Sequence, residues 1–182
     1  MPGKFVLTLL MLGLAPASSH AQGPSLIVAG AIENRRITIT GSELAKLPRH
    51  SVSVKTEQGV AMFEGVLLQS VLELAGLRFG KALTGARLLS FVVAEGAPPT
   101  VGQLLSVDPH AGEDYQAVFA LPELDASFTN QPVVLATSRD GRPLQAPEGP
   151  YRVISPQDKR ANRWVKDVKI LWVLFADNVS LR

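Results

Sequence analysis

Residues 140–169 read DGRPLQAPEGPYRVISPQDKRANRWVKDVK, and the architecture of the whole chain can be worked out from this stretch. Asp140-Gly141 is a strong hairpin signal, because both residue types accept the positive backbone angles of a two-residue turn. The apolar run 133–136 leads into it, and a second apolar run, 151–154, follows a proline-bearing loop. Both runs are short enough for buried strands and too short for helices. A loop with Lys159, Arg160, Arg163 and Lys166 comes next, and residues 164–175 close the chain as another strand. In that last run Val168, Ile170 and Trp172 alternate with Asp167 and Lys169 before it turns wholly apolar.

Working upstream, the same short-strand pattern dominates. Residues 25–31 (SLIVAGA) form a brief apolar run bounded by Pro24, and Ile37-Thr-Ile-Thr40 alternates at period two. Thr40-Gly-Ser-Glu43 has capping-box spacing, which predicts a short helix with Leu44 and Leu47 inward and Pro48 as its stop. Val52 and Val54 alternate with polar residues, Gln58-Gly59 turns the chain, and residues 61–63 return as the partner strand. Helical spacing then appears at Leu67, Leu68, Val71, Leu72 and Ala75, predicting a helix over 66–76 ended by Gly76. Further strands are expected at 88–93, 104–107 and 116–119, and Pro122 suits the first position of a one-turn helix. The pattern predicts an α+β domain: a β-rich mixed sheet with one main helix and short helical turns.

A chain of 182 residues suits one domain, and 46% hydrophobic with 19% charged residues permits an ordinary core. The formal charge is only +2 despite a pI near 9.1, too little for a general nucleic-acid-binding field. At the N-terminus Lys4 precedes an apolar run over 5–15, Pro16 breaks it, and Ser19-His20-Ala21 places small residues where a signal peptidase reads. That run is too short for the roughly 20 residues of a bilayer span. The expectation is a signal peptide over 1–21, cleavage after Ala21, and a single periplasmic or secreted domain over 22–182. There are no cysteines. Disulfides, zinc–thiolate sites, iron–sulfur clusters and thiol nucleophiles are therefore excluded.

Charge is concentrated in one place. Between residues 152 and 169 six basic side chains (Arg152, Lys159, Arg160, Arg163, Lys166, Lys169) face only Asp158 and Asp167. This is how a site for a phosphate-bearing ligand looks. It is also how a solvated loop looks if its cations pair with Asp158, Asp167 or Glu148, the commoner case for exposed charges. His50 and His110 stand far apart, with no metal-ligand spacing, and neither a nucleophile elbow nor a dinucleotide fingerprint is present. The stretch Gly76-Leu-Arg-Phe-Gly80-Lys81-Ala82 is one residue short of a phosphate loop and lacks the hydroxyl that would hold magnesium.

Several motifs occur in order: Pro132-Val-Val-Leu-Ala136, Asp140-Gly-Arg-Pro-Leu144, Glu148-Gly-Pro-Tyr-Arg152, Pro156 and Arg163-Trp-Val-Lys166. Together they resemble the oxidoreductase molybdopterin-binding domain of sulfite-oxidase-type enzymes. Upstream, Phe63-Glu-Gly-Val-Leu-Leu and the helix to Leu77 are similar to the family's aromatic-x-Gly segment, and Asp114-Tyr115 with residues 117–125 to its Asp-Gly-Tyr strand. The resemblance implies the sulfite oxidase molybdopterin-binding fold. It also implies that a cysteine thiolate binds molybdenum just after the strand matching Val52–Val54. This chain has Lys55-Thr56-Glu57-Gln58 there, so Thr56 stands near the thiolate's place, and a threonine hydroxyl is almost never ionised near neutral pH. Glu148 likewise stands where the family often has a histidine.

Two readings follow from the resemblance. In the first, the chain is a noncatalytic, exported binding or interaction module with no catalytic residue, no metal and no cofactor. Its partner is then a phosphate-bearing small molecule or a periplasmic protein, with neither nucleic acid nor a membrane span involved. In the alternative, it is a molybdopterin-dependent oxidoreductase with an unconventional metal ligand. Arg152, Lys159, Arg160 and Arg163 would then grip the pterin phosphate. An unrelated β-rich carrier would instead need an apolar cavity under Phe91, Phe119 and Phe128.

Overall fold

A computed structural model of the protein describes residues 23–30, 36–97 and 116–175. The expected signal segment over 1–21, the strand at 104–107, Asp114-Tyr115 and residues 176–182 lie outside these. Ten strands and three short α-helices are found among the described residues. The first sheet runs β2 (Ile37–Thr40), β1 (Ser25–Gly30), β10 (Val168–Leu174), β5 (Phe91–Gly96), β6 (Gln116–Ala120). The second runs β3 (Arg49–Thr56), β4 (Gly59–Leu67), β7 (Val134–Arg139), β8 (Arg142–Pro143), with β9 (Arg152–Ile154) also paired to β7. Parallel pairing of β1 with β10, Ile27 opposite Ile170, makes the first sheet mixed, and the expected α+β class is found.

Local chemistry explains several elements. Thr40 caps α1 (Gly41–Leu44): its hydroxyl accepts the Glu43 N–H at 3.3 Å while the Glu43 carboxylate accepts the Thr40 N–H at 2.8 Å. That backbone bond holds the Glu43 carboxyl below its ordinary range. In α2 (Leu68–Leu74), Leu68, Val71 and Leu72 are buried, and Gly76 takes φ +98° beyond its end. Asp140 (φ +50°) and Gly141 (φ +75°) form the expected hairpin turn, and the Asp140 carboxylate also accepts the Met62 N–H at 2.8 Å.

Three expected elements differ. Residues 66 and 67 belong to β4, because Val66 and Leu67 pair with Leu135 and Val134 of β7, and the Leu68 N–H still bonds Val133 O at 2.8 Å. A cross-strand ladder outweighs helical spacing there. The strand expected from residue 88 begins at Phe91; Leu88 and Leu89 lie in a 3-10 turn (Gly85–Leu89), 37% and 66% exposed. The last strand begins at Val168 rather than 164, since Asp167 adopts φ +47° and breaks the extension. Residues 164–166 remain tied to β9 through the Val153 N–H to Val165 O bond of 2.9 Å.

Side chains from both sheets and α2, among them Leu26, Val66, Leu72, Phe119, Leu135 and Leu171, form the main core. A smaller core of Val54, Ala61, Phe63, Val134, Ala136, Leu144, Ile154 and Trp164 belongs to the second sheet. Gly65 allows its close contact: a β-carbon there would collide with the Leu135 carbonyl oxygen at the bulge between β4 and β7. No helix among the described residues is long and apolar enough to cross a membrane.

A basic cleft as the candidate functional site

The small core ends at a cleft of about 860 Å³. One wall is the tip of the β3–β4 hairpin, Lys55 to Gln58. The other is the loop over 159–166 that leads from β9 to β10. Between them lie Phe63, Arg139, Glu148, Arg152 and Trp164. Strand register places the inner residues: Phe63 lies opposite Arg139, and Arg152 opposite Ala136.

The floor is built from arginines on aromatic rings. Phe63 and Trp164 meet edge to face with centroids 6.3 Å apart, and the Trp164 indole N–H donates to Ser155 O at 2.9 Å. The Arg139 guanidinium lies 5.6 Å from the Phe63 centroid. That of Arg152 lies 5.7 Å from Phe63 and 6.0 Å from Trp164. A guanidinium is weakly hydrated and stacks well on aromatic faces, which is how Arg152 can be only 7% exposed and still charged. Glu148 supplies the counter-charge: its carboxylate accepts from Arg152 at 2.6 Å and lies 3.7 Å from Arg139.

Six cationic side chains (Lys55, Arg139, Arg152, Lys159, Arg160, Lys166) thus line the cleft against two carboxylates, Glu57 and Glu148. Lys159 and Arg160 are exposed on its rim. Such an arrangement, with charged donors around a buried aromatic base, suits an anion.

Thr56 also lines the cleft, but its hydroxyl donates to Gly59 O at 2.9 Å and closes the hairpin turn. No cluster of three or more His, Asp or Glu side chains among the described residues is arranged to hold a metal ion.

The structure therefore brings together Thr56, Arg152, Lys159 and Arg160. It does not bring in Arg163. That guanidinium forms a two-pronged pair with Asp158 (3.0 and 2.7 Å), bonds Glu123 at 2.8 Å and Val118 O at 3.2 Å, and lies 4.9 Å over the Phe119 ring. Its hydrogen bonds to Asp158 hold it above the ordinary arginine value. Arg163 ties the loop down on its far side. Phe119, under it, is fully buried, while Phe128 is 54% exposed, and neither lines the cleft.

Two cleft residues escaped the sequence reading, Lys55 and Arg139, while Lys166 stood in the basic cluster but not among the expected phosphate contacts. Arg139 ends β7 immediately before the hairpin turn, and the apolar run that opens this strand, Val134 to Ala136, carries no sign that the arginine side chain turns onto Phe63.

The family model for the oxidoreductase molybdopterin binding domain matches residues 16–180. Among solved structures, the sulfane dehydrogenase SoxCD from Paracoccus pantotrophus is similar in fold, with a TM-score of 0.57 and 19% identity. The match covers 86% of this chain and 40% of that one, so this chain spans well under half the length of that relative. No curated protein matches the sequence.

Proposed function

The chain belongs to the oxidoreductase molybdopterin-binding domain family, and from that premise we propose that it is an exported, noncatalytic member whose basic cleft binds a phosphate-bearing small molecule. One observation carries the reading. The cleft holds six cations against two carboxylates, while the threonine at its hairpin tip spends its hydroxyl on Gly59 O.

The family's metal does not fit this donor set. Molybdenum in that setting needs a soft, ionised sulfur ligand, and the chain has no cysteine. A neutral hydroxyl already donating to a turn carbonyl is no substitute, so no redox step is assigned to any residue. The phosphate-bearing organic part of such a cofactor does suit the charge of the cleft. Lys159 and Arg160 on the rim would meet phosphate oxygens through charge-assisted hydrogen bonds. Export is supported by the Lys4, apolar 5–15 and Ser19-His20-Ala21 pattern. The mature chain should begin at Gln22 when its N-terminus is sequenced after secretion.

Titration of the purified protein with inorganic pyrophosphate in low-salt buffer tests the binding reading. We expect saturable binding that weakens as salt rises, and at least about a tenfold loss in the Lys159→Ala/Arg160→Ala double variant. Absence of saturable binding, or binding indifferent to both substitutions, overturns it and leaves an acidic protein surface as the ligand to pursue.

A further inference from the structure

The cleft already contains an anion of its own. Glu148 lies in the loop between β8 and β9, where its backbone is fixed: its N–H bonds Gln145 O at 2.9 Å and its carbonyl accepts from Asp167 at 3.0 Å. From that position the carboxylate reaches Arg152 at 2.6 Å and approaches Arg139 to 3.7 Å. These are the two guanidiniums stacked on Phe63 at the floor. The rim differs. Lys159 and Arg160 form no ion pair with the described residues and stand exposed in the same cleft.

We propose that Glu148 is a specificity-determining residue that occupies the arginine floor and confines an incoming phosphate group to the rim. The inference rests on the anion-binding reading above and deepens it. An anion placed on the floor would have to displace the Glu148 carboxylate from Arg152 or sit against it, and like charges at such distances repel. A ligand therefore gains its charge contacts from Lys159 and Arg160. Only an uncharged portion of it approaches the Arg152–Glu148 pair. The carboxylate also gives the buried Arg152 guanidinium a counter-charge supplied by the protein itself, and a buried charge is costly without a partner.

Two consequences can be measured with one probe. In Glu148→Gln the floor loses its resident anion while the side chain keeps its shape, and pyrophosphate should bind about tenfold more tightly than to the unaltered protein, which is about 1.4 kcal/mol. Arg139→Gln should weaken pyrophosphate binding by a larger factor in the Glu148→Gln background than in the unaltered protein, removing most of the gain, the signature of coupled groups. Pyrophosphate should also raise the melting temperature of Glu148→Gln more than that of the unaltered protein, as expected for tighter binding to the folded state. Should Glu148→Gln fail to fold, Glu148→Asp, which withdraws the carboxylate by one methylene, should show an intermediate gain. Equal affinity in the unaltered protein and the folded Glu148 variants overturns the inference while leaving the anion-binding reading intact. Binding by none of them overturns both.

Discussion

Replacing Arg163 with alanine should destabilise the domain by about 2 kcal/mol while leaving the cleft's anion affinity within about threefold. The side chain is 39% exposed, so each of its carboxylate contacts must be discounted for solvent screening to about 0.5 kcal/mol. The guanidinium over Phe119, 4.9 Å from its centroid, adds about 0.5–1 kcal/mol, and the bond to Val118 O a similar amount. For a domain of this size about 2 kcal/mol corresponds to a melting point lowered by about 4–8 °C. Arg163→Lys should recover about half, since an ammonium can meet one carboxylate but cannot reproduce the two-pronged contact with Asp158. Calorimetry at low and high salt, with a parallel pyrophosphate titration, reads both quantities, and the stability difference should shrink as salt screens the network. A melting point shifted by less than about 1 °C, together with a large loss of affinity, would refute the reasoning. Arg163 would then reach the ligand rather than pin the far side of the loop.

Further substitutions probe the scaffold around the cleft. Gly65→Ala should cost about 3 kcal/mol or more, or give insoluble protein, because its β-carbon meets the Leu135 carbonyl; soluble expression with an unchanged melting point would count against the close β4–β7 contact. Trp164→Phe should cost about 1–2 kcal/mol in urea unfolding, by removing the donor to Ser155 O while keeping a ring against Phe63. Asp125 is buried, which alone would raise its carboxyl, but hydrogen bonds from Ser127 and from the Gly80 N–H prevail and the carboxyl is lowered. A lowered folded value means that this stabilisation is present above the unfolded carboxyl range near 4 and disappears as pH falls through the folded value. Asp125→Asn should thus be less stable by about 1–3 kcal/mol at neutral pH, and the gap should close on acidification.

What the sequence made legible was mostly local. The Thr40–Glu43 capping box, the Asp140-Gly141 turn and the Gly76 helix stop each rest on the conformational chemistry of two to four residues, and each occurs where expected. The segment over 66–67 was not legible, because its helical spacing is overruled by pairing with Val134 and Leu135, nearly seventy positions later in the chain. The same holds for the parallel pairing of β1 with β10, which joins the two ends of the described chain.

The site divides in a similar way. Lys159 and Arg160 were visible as a charge cluster and do line the cleft. Arg163, three positions on from Arg160, was indistinguishable from them by charge. A 3-10 turn over Ala161–Arg163 separates the two, and the carboxylates of Asp158 and Glu123 claim Arg163 on the other side. Arg139 was missed for the converse reason: it lies just before the segment rich in motifs, and its place beside Phe63 depends on the β4–β7 register.

The central claim is that a scaffold of this family, with Thr56 at the hairpin tip and no cysteine anywhere in the chain, keeps an anion-binding cleft and no longer holds the metal. Elemental analysis of the protein, purified without chelators from a molybdenum-replete host, tests this most directly. The account predicts far less than one molybdenum per chain. A stoichiometric, tightly held molybdenum would contradict it.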